Sequence, residues 1–362
     1  MTETKAQCEV LRPLAPVETC PQVKPLDLGA EESWDRFVLE HPGASFFHLT
    51  GWKRVIEKTF GHTARYFYCE RNGKITGIAP IFECSNWLIG RCFISIPLAA
   101  YGGIVAADSA SEQALLDHSK HMAQSASAEY LELRWRAGGL RDEFHANELY
   151  AVFSTPLFPD PDANLKRLPK DTRYMIRKAE KAGLRAQRGA EQMDVFYELV
   201  AQNLHKLGTP VFPRRLFTNI VEEFPDHTQL MLVYSGASAV AGVMSFYFRD
   251  TIVPYYSGAT PEAPRLAANN FMYWQLIKWA TEQGFRTFDF GRSKKGTGAY
   301  AFKTQWNMNV ESLDYQVFLV KRKTVPNFSP VNPRFEKAIR LWQNLPLPVT
   351  KWVGPYAVRL FP

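Results

Sequence analysis

The chain has 362 residues, 46% apolar and 22% charged, a composition that excludes general disorder and suits two domains of ordinary size. Lys and Arg total 43 against 36 Asp and Glu, and the resulting charge of +7 suits an anionic ligand, tRNA or an anionic membrane surface. The five cysteines form no CxxC pair, and no run of 18 apolar residues occurs, which argues against a disulfide framework and a bilayer span and predicts a cytoplasmic protein.

Residues 1–28 are polar and Pro-rich, lack an apolar signal core, and read as a loose arm. Two helices are predicted next, Glu31 to His41 and Leu49 to Thr59, the second with Thr50 as its cap. Strands follow at Arg65 to Glu70 and Lys74 to Phe82, joined by the hairpin signal Asn72-Gly73. Phe93 to Ile96 reads as a strand, then come the loop Tyr101-Gly102-Gly103, a helix over Ser111 to Ser125, and a strand over Tyr130 to Trp135. A Pro-containing linker, Phe158 to Asp162, sets the boundary between residues 29–158 and 163–322.

The same order recurs. Helices are predicted at Met193 to Leu207 and Arg214 to Phe224, and strands at Leu230 to Tyr234, Ala239 to Phe248 and Thr251 to Ser257. A long helix over Arg265 to Gln283 ends at Gly284, which suits a left-handed cap. Thr287 to Phe290 is a strand, Thr297 to Trp306 a short helix, and Glu311 to Lys321 a final strand. Helix, helix, hairpin, strand, helix, strand therefore appears twice, which predicts a duplicated α/β domain with mixed sheets.

Four stretches could carry chemistry. A basic helix is predicted over Lys166 to Arg188, with Arg173, Arg177, Lys181 and Arg185 at i, i+4 spacing. Like charges so spaced repel unless an anion neutralises them, so this face is a candidate for tRNA phosphates or a diphosphate, against the plain alternative of a solvated face. Tyr255 to Thr260, including Tyr256, precedes the helix start with Asn269 and Asn270, where free amides could bind an anion or carbonyl. In Phe288 to Ser293, alternation puts Asp289 opposite Phe288 and Phe290, and the basic, glycine-rich loop beyond includes Arg292 but is no P-loop. Lys303 lies beside Phe302 and near Trp306, where a fixed ammonium could stabilise a developing oxyanion. Cys69, Cys84 and Cys92 read as packed strand residues rather than nucleophiles.

Taken together, Tyr101-Gly102-Gly103, Thr172 to Lys181, Asp289-Phe290-Gly291 and Phe302 to Trp306 resemble the Fem family of FemA/FemB-like peptidyltransferases over roughly residues 30 to 320. Asp289 to Lys303 looks most like a branch that accompanies exosortase (PEP-CTERM) and exopolysaccharide systems of Gram-negative bacteria. The resemblance implies tandem N-acetyltransferase-like (GNAT) domains, with the acceptor in a groove between them. It implies transfer of an amino acid from aminoacyl-tRNA to an amine of an envelope precursor, with no cofactor or metal. Lys303 would steady the reacting carbonyl oxygen beside Phe302. Asp289 and Tyr256 complete the candidate catalytic set, and Tyr101, Gly102, Asn269, Asn270, Arg292 and Trp306 the substrate contacts.

The sequence departs from relatives at several points. The pyrophosphate turn typical of acyl-CoA users is replaced by a loop with Pro261 and Pro264, and no coiled-coil arm for tRNA is visible. Trp306-Asn307 stands where the family has Phe-Gly. Aminoacyl-tRNA and acyl-CoA therefore both remain as donors, and a catalytically inactive binding module in envelope assembly remains as an alternative. The tail, 326–362, combines an amphipathic helix over Phe335 to Leu345 with Trp352, Tyr356, Phe361, Lys351 and Arg359, and suits either a peripheral inner-membrane contact or packing on the second domain.

Overall fold

The computed structural model describes residues 20–326 and 333–360. The first half comprises β1 (Gln22–Pro25), α1 (Glu31–Glu40), α2 (Thr50–Phe60), β2 (Thr63–Arg71), β3 (Lys74–Asn86), β4 (Gly90–Ser95), β5 (Val105–Ala106), α3 (Ser109–Ser125), β6 (Tyr130–Trp135), β7 (Phe144–Asn147) and β8 (Tyr150–Pro156). The second comprises α4 (Pro161–Arg167), α5 (Lys170–Lys181), β9 (Arg185–Arg188), α6 (Met193–Lys206), α7 (Arg214–Glu223), β10 (Thr228–Ser235), β11 (Ser238–Phe248), β12 (Thr251–Ala259), α8 (Ala263–Leu266), α9 (Ala268–Glu282), β13 (Thr287–Lys294), α10 (Gly298–Thr304), β14 (Asn309–Ser312) and β15 (Asp314–Leu319). Two tail helices follow, α11 (Pro333–Asn344) and α12 (Leu347–Val358).

The fold is mixed α/β, built from two GNAT-like halves with the same internal order. β2, β3 and β4 run antiparallel and β4 pairs parallel with β6; β10, β11 and β12 run antiparallel and β12 pairs parallel with β13. Each sheet has a short antiparallel edge strand, β1 on β2 and β9 on β10. The arm predicted over 1–28 is thus partly a strand, and its residues before Cys20 lie outside those described.

The sheets do not divide at the linker. β8, at the end of the first half, pairs with β13 and β14 of the second sheet. β15, at the end of the second half, pairs with β6 and β7 of the first. The halves thus exchange their last strands. The predicted strand over Glu311 to Lys321 is two strands, one in each sheet, separated by the buried Leu313.

The basic stretch is likewise not one helix. Pro169 separates α4 from α5, Gly183 at φ 72° ends the second, and Arg185 and Arg188 lie on the exposed edge strand β9. Ile176 and Ala179 are buried against the second core, whereas Ala182 is exposed. Thr50 opens α2 but does not cap it; Asp35 accepts from its amide and hydroxyl at 2.8 and 2.7 Å. Cys69, Cys84 and Cys92 are buried in strands, and burial pushes the Cys69 and Cys92 thiols up to about 11 and 12. No described helix is long and apolar enough to cross a membrane.

Candidate active site

Both parallel pairings last for two residues, Phe93–Ile94 with Leu131–Glu132 and Thr251–Ile252 with Thr287–Phe288. Beyond them the strands splay. In the first sheet the gap is bridged locally: Ser95 Oγ accepts from the Arg134 amide at 2.8 Å, and the Gly102 amide donates to the Arg134 carbonyl at 2.8 Å. In the second sheet the bridge comes from the other half, where Tyr255 Oη donates to the Leu98 carbonyl at 2.6 Å. Tyr255 is skipped in the pairing of β12 with β11, so the strand bulges at the mouth of the splay.

The loop that reaches across, residues 96–103, bends sharply. Ile96 and Leu98 adopt φ of 47° and 62°. A β-branched residue in this region costs about 1–3 kcal/mol and persists only where surrounding contacts over-determine it. Here they do. A Cβ on Gly102 would lie 2.4 Å from Ile96 Cδ1, and one on Gly103 would lie 2.6 Å from the Trp135 ring. His48 Nδ1 accepts from the Ser45 amide, so its Nε2 carries the proton and donates to the Gly103 carbonyl at 3.0 Å. Burial lowers the His48 pKa to about 4, which keeps the ring neutral.

This loop and β13 meet over a cavity of about 570 Å³ between the halves. Tyr101, Gly102, Gly103, Trp135 and Arg136 line it from the first half, and Arg249 and Asp289 from the second. At its wall, fully buried Asp289 accepts three hydrogen bonds: from Tyr101 Oη at 2.6 Å, from Arg136 Nη1 at 3.2 Å and from the Gly291 amide at 2.8 Å. Burial and the Asp289 carboxylate hold the Tyr101 phenol well above its usual range, so it stays a proton donor.

Lys303 stands behind that wall. β13 bulges between Asp289 and Arg292, with Gly291 at φ 67°. The Lys303 ammonium donates to the carbonyls of Phe290, Gly291 and Arg292 at 2.5, 3.2 and 3.1 Å. All three of its hydrogens are thus taken by the backbone. Burial lowers its pKa to about 8, opposed by Asp289 and reinforced by Arg292. The bulge that aims Asp289 is therefore held on one side by the aspartate itself and on the other by Lys303.

Of the predicted residues, Asp289, Tyr101 and Gly102 come together on the cavity, and Lys303 joins them through the bulge. Arg292 turns away, donating to Tyr315 Oη at 2.8 Å and lying over the Tyr150 ring. Tyr256 is buried among Phe212, Phe217 and Phe246, with its hydroxyl unpartnered. Trp306 is fully buried and packs with Phe290, Phe302 and Tyr273, so it is core rather than a substrate contact. Asn269 and buried Asn270 open α9, away from the cavity lining. Arg177 and Lys181 are exposed on α5, and Arg173 donates to the Lys166 carbonyl. Sequence reasoning missed His48, Arg136 and Arg249. Arg136 continues the alternation of β6 just beyond Trp135, a readable signal; Arg249, in the turn between β11 and β12, donates to the Val38 and His41 carbonyls. No group of three or more His, Cys, Asp or Glu able to hold a metal occurs among the described residues.

Residues 166–304 match the family model described as an acetyltransferase (GNAT) domain. No curated protein matches the sequence. Among solved structures, FemX aligns with a TM-score of 0.64 at 16% identity, over 88% of this chain and 100% of that one. A tandem GNAT protein from the clavulanic acid biosynthesis pathway aligns at 0.52 and 9% identity, over 84% and 100%. The C-terminal domain of a protein assigned as a lysylphosphatidylglycerol synthetase, from Agrobacterium fabrum, aligns at 0.53 and 13%, over 80% and 92%. At these identities the likeness is one of fold, and that fold is a tandem, FemX-like GNAT architecture.

Proposed function

We propose that the chain is a Fem-type acyltransferase that moves an aminoacyl or acyl group onto an amine, with the acceptor in the cavity between the halves. The observation that carries this is the Asp289 cluster, a carboxylate from the second half held on the cavity wall by Tyr101 and Arg136 from the first. The splay between β12 and β13 opens beside it and supplies a route for the donor. Displacement of Tyr101 and Arg136 by the acceptor uncovers the carboxylate, which then holds and orients the acceptor amine. The amine attacks the donor carbonyl carbon; the C–N bond forms, the ester C–O or thioester C–S bond breaks, and the amine proton passes to the leaving oxygen or sulfur. Tyr101 and Arg136 compensate the buried carboxylate between turnovers. Aminoacyl-tRNA is the donor better matched to the Pro261–Pro264 loop and to the basic face of α5, and an exopolysaccharide- or peptidoglycan-like envelope precursor is the acceptor suggested by the family branch that the Asp289 to Lys303 segment resembles.

A second reading, a binding module without turnover, is favoured by one observation: every Lys303 hydrogen is committed to the backbone. Native mass spectrometry with charged tRNA and acyl-CoA offered in parallel, followed by transfer assays on amine acceptors, separates the readings. Retention of aminoacyl-tRNA and transfer that Asp289→Asn lowers about 100-fold is the expected result. Retention of acyl-CoA alone makes the chain an acyl-CoA-dependent N-acyltransferase. Acceptor binding without transfer from either donor makes it a binding module.

A further inference from the structure

The outer face of α12 carries Trp352 and Tyr356, 73% and 65% exposed, with Val349 one turn before. They project outward because Thr350, Gly354 and Val358, spaced four apart, are buried on the opposite face. The fit is close: a Cβ on Gly354 would lie 2.4 Å from the Val211 carbonyl oxygen, so the helix cannot roll its aromatic face inward. An ion pair between Lys351 and Glu198 fixes the same orientation.

A second exposed tryptophan is delivered to this region from the first half. The β3–β4 turn presents Trp87, 84% exposed, and Leu88. Asn86 accepts from the Leu88 and Ile89 amides, which shapes the turn, and donates through Nδ2 to the Arg359 carbonyl at 3.2 Å. The turn is thereby tied to the C-terminal end of α12. Residues 84–107 and 337–362 contain no Asp or Glu. Of the cations there, Arg91, Arg340 and Lys351 pair with Glu83, Glu336 and Glu198 of adjoining segments, and Lys337 and Arg359 leave the region with a net positive charge. Tryptophan and tyrosine place an apolar ring and a polar edge at the headgroup level of a bilayer, and a net excess of cations matches an anionic leaflet.

We propose that Trp87, Trp352 and Tyr356 form a docking face for the surface of an anionic lipid bilayer, on which the protein lies peripherally. The face is separate from the cavity, and the proposal stands whether or not transfer is catalysed. Co-sedimentation with vesicles of phosphatidylcholine alone and with added phosphatidylglycerol tests it. The wild type is expected to sediment with the phosphatidylglycerol vesicles, and the Trp87→Ser, Trp352→Ser, Tyr356→Ser triple variant to lose at least about ten-fold in partition, with an unchanged melting midpoint. Tryptophan emission of the wild type, shifted to the blue and shielded from acrylamide by the same vesicles, provides a readout that needs no variant. Absence of wild-type sedimentation with either vesicle overturns the proposal. So does unchanged partition of a folded variant, or self-association of the lipid-free wild type that the variant abolishes, which would make the face a contact between copies.

Discussion

Lys303 shows how a residue can be legible in sequence while its neighbours are not. Its aromatic setting marks it, but its partners are three successive carbonyls of a bulge in β13 that alternation alone would draw as a regular strand. A neutral amine has two hydrogens for those three carbonyls. Because its pKa is lowered to about 8, transfer activity should decline as pH rises through 8, and Lys303→Arg should move that alkaline limb upward. A limb that stays in place in the arginine variant would remove Lys303 from the account. His48 supplies a stability counterpart. Its folded pKa of about 4 lies below the ordinary 6.5, so between these values the unfolded chain binds a proton that the native state refuses. The contribution is therefore present above pH 6.5 and is lost as pH falls towards 4, by roughly 3 kcal/mol in all. His62, also lowered to about 4 by burial, adds a separate loss, so the diagnostic quantity is the difference between wild type and His48→Gln in urea midpoints at pH 7 and 4.5. That variant should show the shallower fall. Asp289 and Tyr101 were each visible, one by strand alternation and one by its glycine pair. Their meeting was not, because 188 positions separate them and the connecting loop turns on Ile96 and Leu98, types that carry no turn signal.

Among elements, the paired helices and both hairpins follow from periodicity and turn chemistry, and the structure places them near the expected bounds; the long helix expected from Arg265 is broken at Ala267, whose φ of 54° divides α8 from α9. The basic stretch does not, because Pro169 and Gly183 outweigh the charge pattern that suggested one helix. What remains on α5 is the spacing of Arg173, Arg177 and Lys181. On the edge strand β9, Arg185 and Arg188 serve a different purpose, since charged side chains discourage a second strand from pairing there. Replacing Arg173, Arg177 and Lys181 with Gln should weaken tRNA binding and lower the slope of log K against log salt by about 2 to 3. An unaltered slope in a filter-binding titration would leave α5 as a solvated face. The strands around the sheet crossings were the least legible: β7 and β8 were not read at all, and a single residue, Leu313, divides the stretch read as one strand into β14 and β15 of different sheets.

At the level of the whole chain, the exchange of β8 and β15 makes each sheet depend on the other half. A chain ending at residue 158 would lack β15, one of the two partners of β6, and leave β8 unpaired on both edges, so it should aggregate or bind hydrophobic dyes, whereas a fragment covering 159–362 should rescue it when the two are refolded together. The intact protein should melt in one calorimetric transition, with van't Hoff and calorimetric enthalpies in agreement. Two separated transitions would mean that the exchanged strands couple the halves weakly.

The same lacing bears on how molecules reach the cavity. Two lobes joined by one linker can swing apart like jaws and admit guests of many shapes. Here the chain crosses between the lobes twice, and Phe46, Phe47 and Trp52 of one are packed among Phe224 and Phe246 of the other, so such a swing would have to pull that shared core open. Admission is then through an aperture of fixed bore, and selectivity among acceptors becomes a matter of girth, tuned by the side chains at the rim rather than by closure around the guest.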